Sequence, residues 1–310
     1  MAELRQKPGN APAIAESLTR SLSVRWTRRD GQRMVRRLTK AVPRALLVAL
    51  LVATPALLLP STSTDSAQMV VFLALIASLF TFVEYYSVYP SIVEFRHAPP
   101  YNRIRFLALW LSVIALAVIL RGKTDPTTMT RLFAAMGEMV AGLLDFPYSP
   151  VRLVVLMLPQ SASPALVDEV RTAAGLSYLI SILSLGAFVA FMRLTGWPAR
   201  YKGFNLWVNL PTFDPTAGGD VVTRLNRDSQ INLILGFLLP FLIPAAVKLT
   251  ADLFDPVRLT DPQTLIWTMT AWAFLPASLV MRGIALARVA QMITAQRLRA
   301  RDDSVALQPA

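Results

Sequence analysis

Glu84 lies well inside a strongly apolar run, "MVVFLALIASLFTFVEYYSVY" at residues 69–89, and an acid in such a place has three uses. It can pair with a cation and fix helix packing, form part of a proton or cation site, or stay neutral with a raised pKa. A charge at the centre of a membrane helix costs about 2.5–3.5 kcal/mol, and less towards an interface, so Glu84 must face protein or water. Arg193 and Arg282 end two other apolar runs on what charge counting makes the same side, and either is a candidate partner.

The turn that follows carries Glu94, Arg96 and His97, the last being the single histidine of the chain. These three can pair among themselves, bind lipid headgroups or sense pH, and a membrane enzyme acting on lipid would have to draw on them. Tyr85, Tyr86 and Tyr89 sit where an aromatic belt is expected. A second irregular place is Pro240 with Pro244, beside Asn232 and Gly236. Prolines in a span remove backbone hydrogen bonds, giving either a packed kink or a bend whose freed carbonyls line a path, with Lys248 at its outer end.

The rest of the chemistry is bounded by what is scarce. There is no cysteine, so thiolate nucleophiles, disulfides and Cys-ligated metals are excluded. With one histidine, a His-rich metal site cannot form within one chain, and no cluster of acids has the spacing of a carboxylate site. The expectation is no catalytic residue, no metal and no cofactor.

The elements that position these residues are membrane helices. Of 310 residues 54% are hydrophobic and 16% charged, where soluble domains carry roughly 25% charge. Six runs approach the roughly 20 residues needed to cross, at about 43–60, 69–89, 104–120, 174–194, 231–250 and 263–281. The fold class expected is an all-α polytopic integral membrane helix bundle with interfacial amphipathic segments: a basic arm at 1–42, a six-span domain over 43–283, and a basic helical tail at 284–310.

Residues 1–44 hold eleven Lys or Arg against Glu3, Glu16 and Asp30. Beside a span, such an arm is an anchor for anionic headgroups rather than a nucleic-acid site, and no nucleic-acid partner is expected. Its Arg- and Ser-rich composition also suits a mitochondrial transit peptide. The 90–103 turn, the 193–229 segment and the tail are basic too, while "STSTDSAQ" and "ADLFDPVRLTDP" are not. Positive-inside counting therefore puts both termini in the cytoplasm of a bacterial inner membrane.

Two connectors need an account. In 131–159, Leu132, Met136, Met139, Val140 and Leu143 recur at helical spacing with Glu138 opposite, which suits an interfacial helix followed by a short packed segment, or a re-entrant pair broken at "FPYSP". In 195–229, Trp197, Tyr201, Phe204, Trp207 and Phe213 beside basic residues suggest a chain lying in the headgroup layer, or a partner-docking loop. The scarcity of intramembrane polar groups, the basic arm and the aromatic loop together suggest a non-enzymatic accessory or assembly factor, bound to a membrane-protein partner or to copies of itself. The alternative is a small transporter or channel using Glu84 and the proline-kinked helix.

Overall fold

The computed structural model describes residues 11–60, 64–198, 204–214, 216, 218–250 and 259–306, with side chains described from residue 31 onward except at 64 and 304–306. Among them the chain forms α1 (Ala11–Leu58), α2 (Thr64–Tyr86), α3 (Tyr101–Arg121), α4 (Thr128–Leu144), α5 (Pro150–Leu156), α6 (Pro164–Thr195), α7 (Leu206–Asn209), α8 (Val221–Thr250) and α9 (Pro262–Ala306). Six of these, α1, α2, α3, α6, α8 and α9, are long and apolar enough to cross a membrane. The protein is an all-α polytopic membrane helix bundle.

Several helices outrun their apolar windows. α1 passes through Pro43, where the first apolar run begins, so that from residue 11 the basic arm is one helix with the first span. The carbonyl that Pro43 orphans belongs to exposed Thr39, where water can complete it. α6 begins at Pro164, with the Ser163 hydroxyl accepting from Leu166 N–H at 3.2 Å, and stops at Gly196, whose φ of 64° ends the helix in a left-handed turn. α9 continues past the last apolar residue into the tail, where Arg297 reaches Asp220 ahead of α8 at 2.6 Å.

Packing follows the chain outward from α3, α6 and α9. α8 lies against α9, α1 against α3, and α2 meets no other helix but α1 among the described residues. α8 and α9 approach closely at Gly236, where an added Cβ would come within 2.7 Å of the Pro276 carbonyl oxygen. A second such point is Gly283, whose carbonyl accepts from the Ser229 hydroxyl at 2.7 Å. Small residues at crossings let backbones touch, the usual basis of helix association in lipid.

Two apolar cores divide the bundle by depth. One joins Leu116, Val154, Val170, Leu265 and Met269 at the end holding α4 and α5. The other joins Phe95, Tyr101, Phe188, Trp197, Leu225 and Leu286 at the end holding both helical tails. The second core corrects the headgroup reading of 195–229. Trp197 and Phe213 are buried in protein and Phe204 packs on them, while Trp207 is exposed; Tyr201 lies outside the described residues. Aromatic area of this size contributes more when another apolar surface covers it than when it is left at a polar boundary.

The connector between α3 and α6 forms two helices broken at 145–149. α4 turns small residues to α6: a Cβ on Gly137 would lie 2.7 Å from Thr172 Cγ2, and one on Gly175 2.8 Å from Ala141 Cα. Val140 is buried, but Leu132, Met136, Met139 and Leu143 point away from the bundle. α5 buries Pro150, Val151 and Val154, and Asp145 at the break is paired with Arg152 at 3.0 Å and Arg171 at 3.1 Å.

Candidate functional site

α2 ends at Tyr86, and Pro90 prevents its continuation, so the chain reverses. The reversal aims three consecutive N–H groups at one oxygen: Ser91, Ile92 and Val93 donate to Glu84 Oε1 at 2.7, 2.9 and 2.9 Å. Three peptide donors on a carboxylate form an anion nest, here filled by the protein's own acid. Glu84 is correspondingly buried, at 7% exposure.

Arg96 returns the interaction. Its Nη1 donates to the Glu84 and Ser87 carbonyls, and its Nη2 to Val88 O at 3.1 Å. These are carbonyls that a helix terminus leaves without partners, and a cation there also meets the negative end of the helix dipole. Burial first, and then Arg44 and Arg37, lower the Arg96 pKa against the pull of Glu84 and Tyr85.

Glu84 thus draws its partners from backbone N–H groups, where Arg193 or Arg282 was expected. Arg193 stands exposed at the end of α6. Arg282 grips Glu94 instead, with Nε to Oε2 at 2.7 Å and Nη2 to Oε1 at 2.8 Å. Thr212 adds its hydroxyl to Glu94 Oε1 at 2.8 Å, and Asn102 Nδ2 donates to the Glu94 carbonyl at 2.7 Å. A bidentate, charge-assisted pair of this kind joins the α2–α3 loop, α9 and the segment after α7 at one point.

Glu94, Arg96 and His97 therefore separate, although they are neighbours in sequence. Glu94 points to α9, Arg96 to the end of α2, and His97 is exposed. The His97 pKa is lowered, first by burial of part of the ring and then by Arg96, Lys40 and Arg44. Between them Phe95 has a φ of 53°, a left-handed conformation that side chains rarely adopt. It is held by burial against Tyr101 and Trp197 and by its N–H donating to Asn209 O at 2.6 Å.

Asn209 is the main residue that sequence reading missed. Its Oδ1 accepts from His97 N–H at 3.2 Å and its Nδ2 donates to Asn205 O at 2.9 Å, which ties α7 to the loop. The available signal was a pair of asparagines four apart in an otherwise apolar stretch, "NLWVN".

The bend in α8 is closed. Pro244 has no N–H to give to the carbonyl four residues back, and that carbonyl, Pro240 O, accepts from Trp272 Nε1 on α9 at 3.1 Å. Both prolines are buried. At the opposite end a cavity of about 670 Å³ lies between α3, α4 and α6, with Leu116, Ile119 and Ala141 among its apolar lining and Lys123, Glu138 and Asp168 among its charges. Its charges are partly neutralised in place, since Lys123 meets Glu169 at 2.5 Å and Arg171 meets Asp168 at 3.2 Å. No protein-family model, curated protein or solved structure matches the chain.

Proposed function

We propose that the chain is a multi-pass protein of a bacterial inner membrane, with both termini cytoplasmic, that serves as a non-enzymatic accessory or assembly subunit of a larger membrane complex. The observation that carries this reading is the isolation of α2. Its apolar window is 6% buried, and among the described residues its neighbour in the bundle is α1 alone. Phe72, Leu75, Leu79 and Phe80 are all exposed on it. A span attached through one neighbour offers most of its circumference to another membrane helix.

Two further observations support the reading. The groups a transport mechanism would use are engaged in holding the fold: Glu84 Oε1 carries three N–H bonds and Pro240 O is taken by Trp272. The end of the bundle with the helical tails is rich in cations, whereas at the other end Arg121, Lys123, Arg152 and Arg171 are paired with acids. A positive-inside topology with cytoplasmic termini would produce such an asymmetry.

The test is purification from native membranes in mild detergent, followed by native-gel sizing and mass spectrometry. A stoichiometric partner that crosslinks to single cysteines introduced at Phe72 or Leu79 is the expected result. Recovery of the chain alone, or only with copies of itself, overturns the accessory reading and favours transport.

A further inference from the structure

Where α2 gives way to α3, positive charge from two parts of the chain converges. Arg37, Lys40 and Arg44 recur at three and four residues along α1 and so share one face of it. Arg44 holds its guanidinium carbon 4.7 Å from the centre of the Tyr85 ring, and its Nη1 donates to the Lys40 carbonyl. The α2–α3 loop brings Arg96 and His97 against this face: Arg37 and Arg44 act on the charge of Arg96, and Lys40 and Arg44 on that of His97. Among the described residues no acid forms an ion pair with Arg37, Lys40 or Arg44: Glu84 Oε1 accepts from Ser91, Ile92 and Val93, and Glu94 turns away to Arg282. The cations are therefore left largely uncompensated at the level where the chain leaves the apolar spans.

The surroundings are apolar on the exposed side. Tyr89 and Ile92 on the loop are 74% and 73% exposed, and Val88 beside them is exposed as well. Soluble phosphate compounds give no reason for such residues to stand in the open beside the charges, whereas a lipid occupies both kinds of surface at once.

We propose that this corner of the bundle binds the phosphodiester headgroup of an anionic phospholipid. Arg37, Lys40 and Arg44 meet the phosphate, and Val88, Tyr89 and Ile92 lie against the glycerol and upper acyl chain. Arg96 contributes charge rather than a free fork, because both its Nη atoms already cap α2. The Tyr85 ring and the Lys40 carbonyl hold the Arg44 guanidinium in place, leaving the donors they do not use for the phosphate.

The full chain is purified in a zwitterionic detergent and titrated with phosphatidylglycerol, phosphatidylcholine or inorganic phosphate, with bound species counted by native mass spectrometry. A basic group close to an anionic headgroup is worth about fivefold in binding, and salt screening reduces the sum, so phosphatidylglycerol is expected to bind about tenfold more tightly than phosphatidylcholine. The Arg37→Gln/Lys40→Gln/Arg44→Gln variant removes that preference. An Arg288→Gln/Arg299→Gln/Arg301→Gln variant, equal in charge removed but placed on the α9 tail, keeps it. Equal binding of both lipids, equal loss in the two variants, or displacement of lipid by inorganic phosphate at matching concentration each overturns the proposal. If the triple variant does not fold, the single Arg37→Gln and Lys40→Gln variants carry the same comparison, since both side chains are exposed.

Discussion

Replacing Glu94 or Arg282 tests whether the end of the bundle with the helical tails is held by a charge pair. The side chains are 10% and 28% exposed, so each is partly desolvated, and the contact is bidentate at 2.7 and 2.8 Å. Removing one partner of a fully buried pair costs about 3–5 kcal/mol, and the residual solvent access here reduces that to about 2–3 kcal/mol. Glu94→Gln keeps an oxygen for Thr212 but gives up the charge; Arg282→Gln leaves the Glu94 carboxylate with its hydroxyl donor and little else. For a chain of this length a loss of about 2–3 kcal/mol lowers the melting temperature by about 5 °C, read by scanning fluorimetry in mild detergent. The double variant should be no more than about 1 kcal/mol worse than either single one, because the second change no longer strands a charge. Additive losses, with coupling below about 0.5 kcal/mol, would refute the pair as a clamp.

Glu84→Ala orphans three N–H groups and should destabilise by about 2 kcal/mol, while Glu84→Gln, which keeps an acceptor oxygen, should recover about half of that in the same melting assay. Gly236→Ala places a methyl against backbone atoms of Pro276 and Val280, which cannot yield as a side chain end would; separation of α8 from α9 should cost about 1–3 kcal/mol and appear as new protease sensitivity in both helices. The lowered His97 pKa means that the unfolded chain binds this proton more readily than the folded one, so its contribution is present at neutral pH and is lost as pH falls below the ordinary histidine value of about 6.5. Melting temperatures measured from pH 8 down to pH 5.5 should show a decline that His97→Gln removes. Thr64→Cys should label from outside and Thr216→Cys from inside, and the reverse pattern would invert the orientation proposed above.

The six spans were legible because burying roughly 20 apolar residues in lipid is a property of composition, visible without tertiary structure. The continuation of α9 into a helical tail was legible for a related reason, since helical periodicity is local. Glu84 stood out by its polarity, but its partners did not, because peptide N–H groups have no letter in a sequence. Arg282 was placed at the same end of the bundle as the α2–α3 loop, where it lies, but was assigned to Glu84 where Glu94 holds it. Charge counting gives depth but not azimuth around the bundle. The aromatic segment was misplaced because the surfaces that cover Trp197 and Phe213 come from residues scattered between Phe95 and Ala290, a proximity no local pattern encodes. Pro240 followed by Pro244 announced an orphaned carbonyl in the sequence itself, while the indole that satisfies it, Trp272, lies on another helix.

The Glu94–Arg282 contact spans 188 residues of chain, which gives it a role in time as well as in space. At about 5–20 residues per second, the ribosome needs roughly 10–40 s to deliver the arginine after the glutamate has entered the membrane. Throughout that interval the Glu94 carboxylate is without its arginine, and the charge is paired when α9 arrives. A chain cut short before α9 leaves Glu94 without its arginine and the second core without Met281, Leu286 and Val289, so completion of synthesis is written into the fold as a difference between finished and unfinished copies.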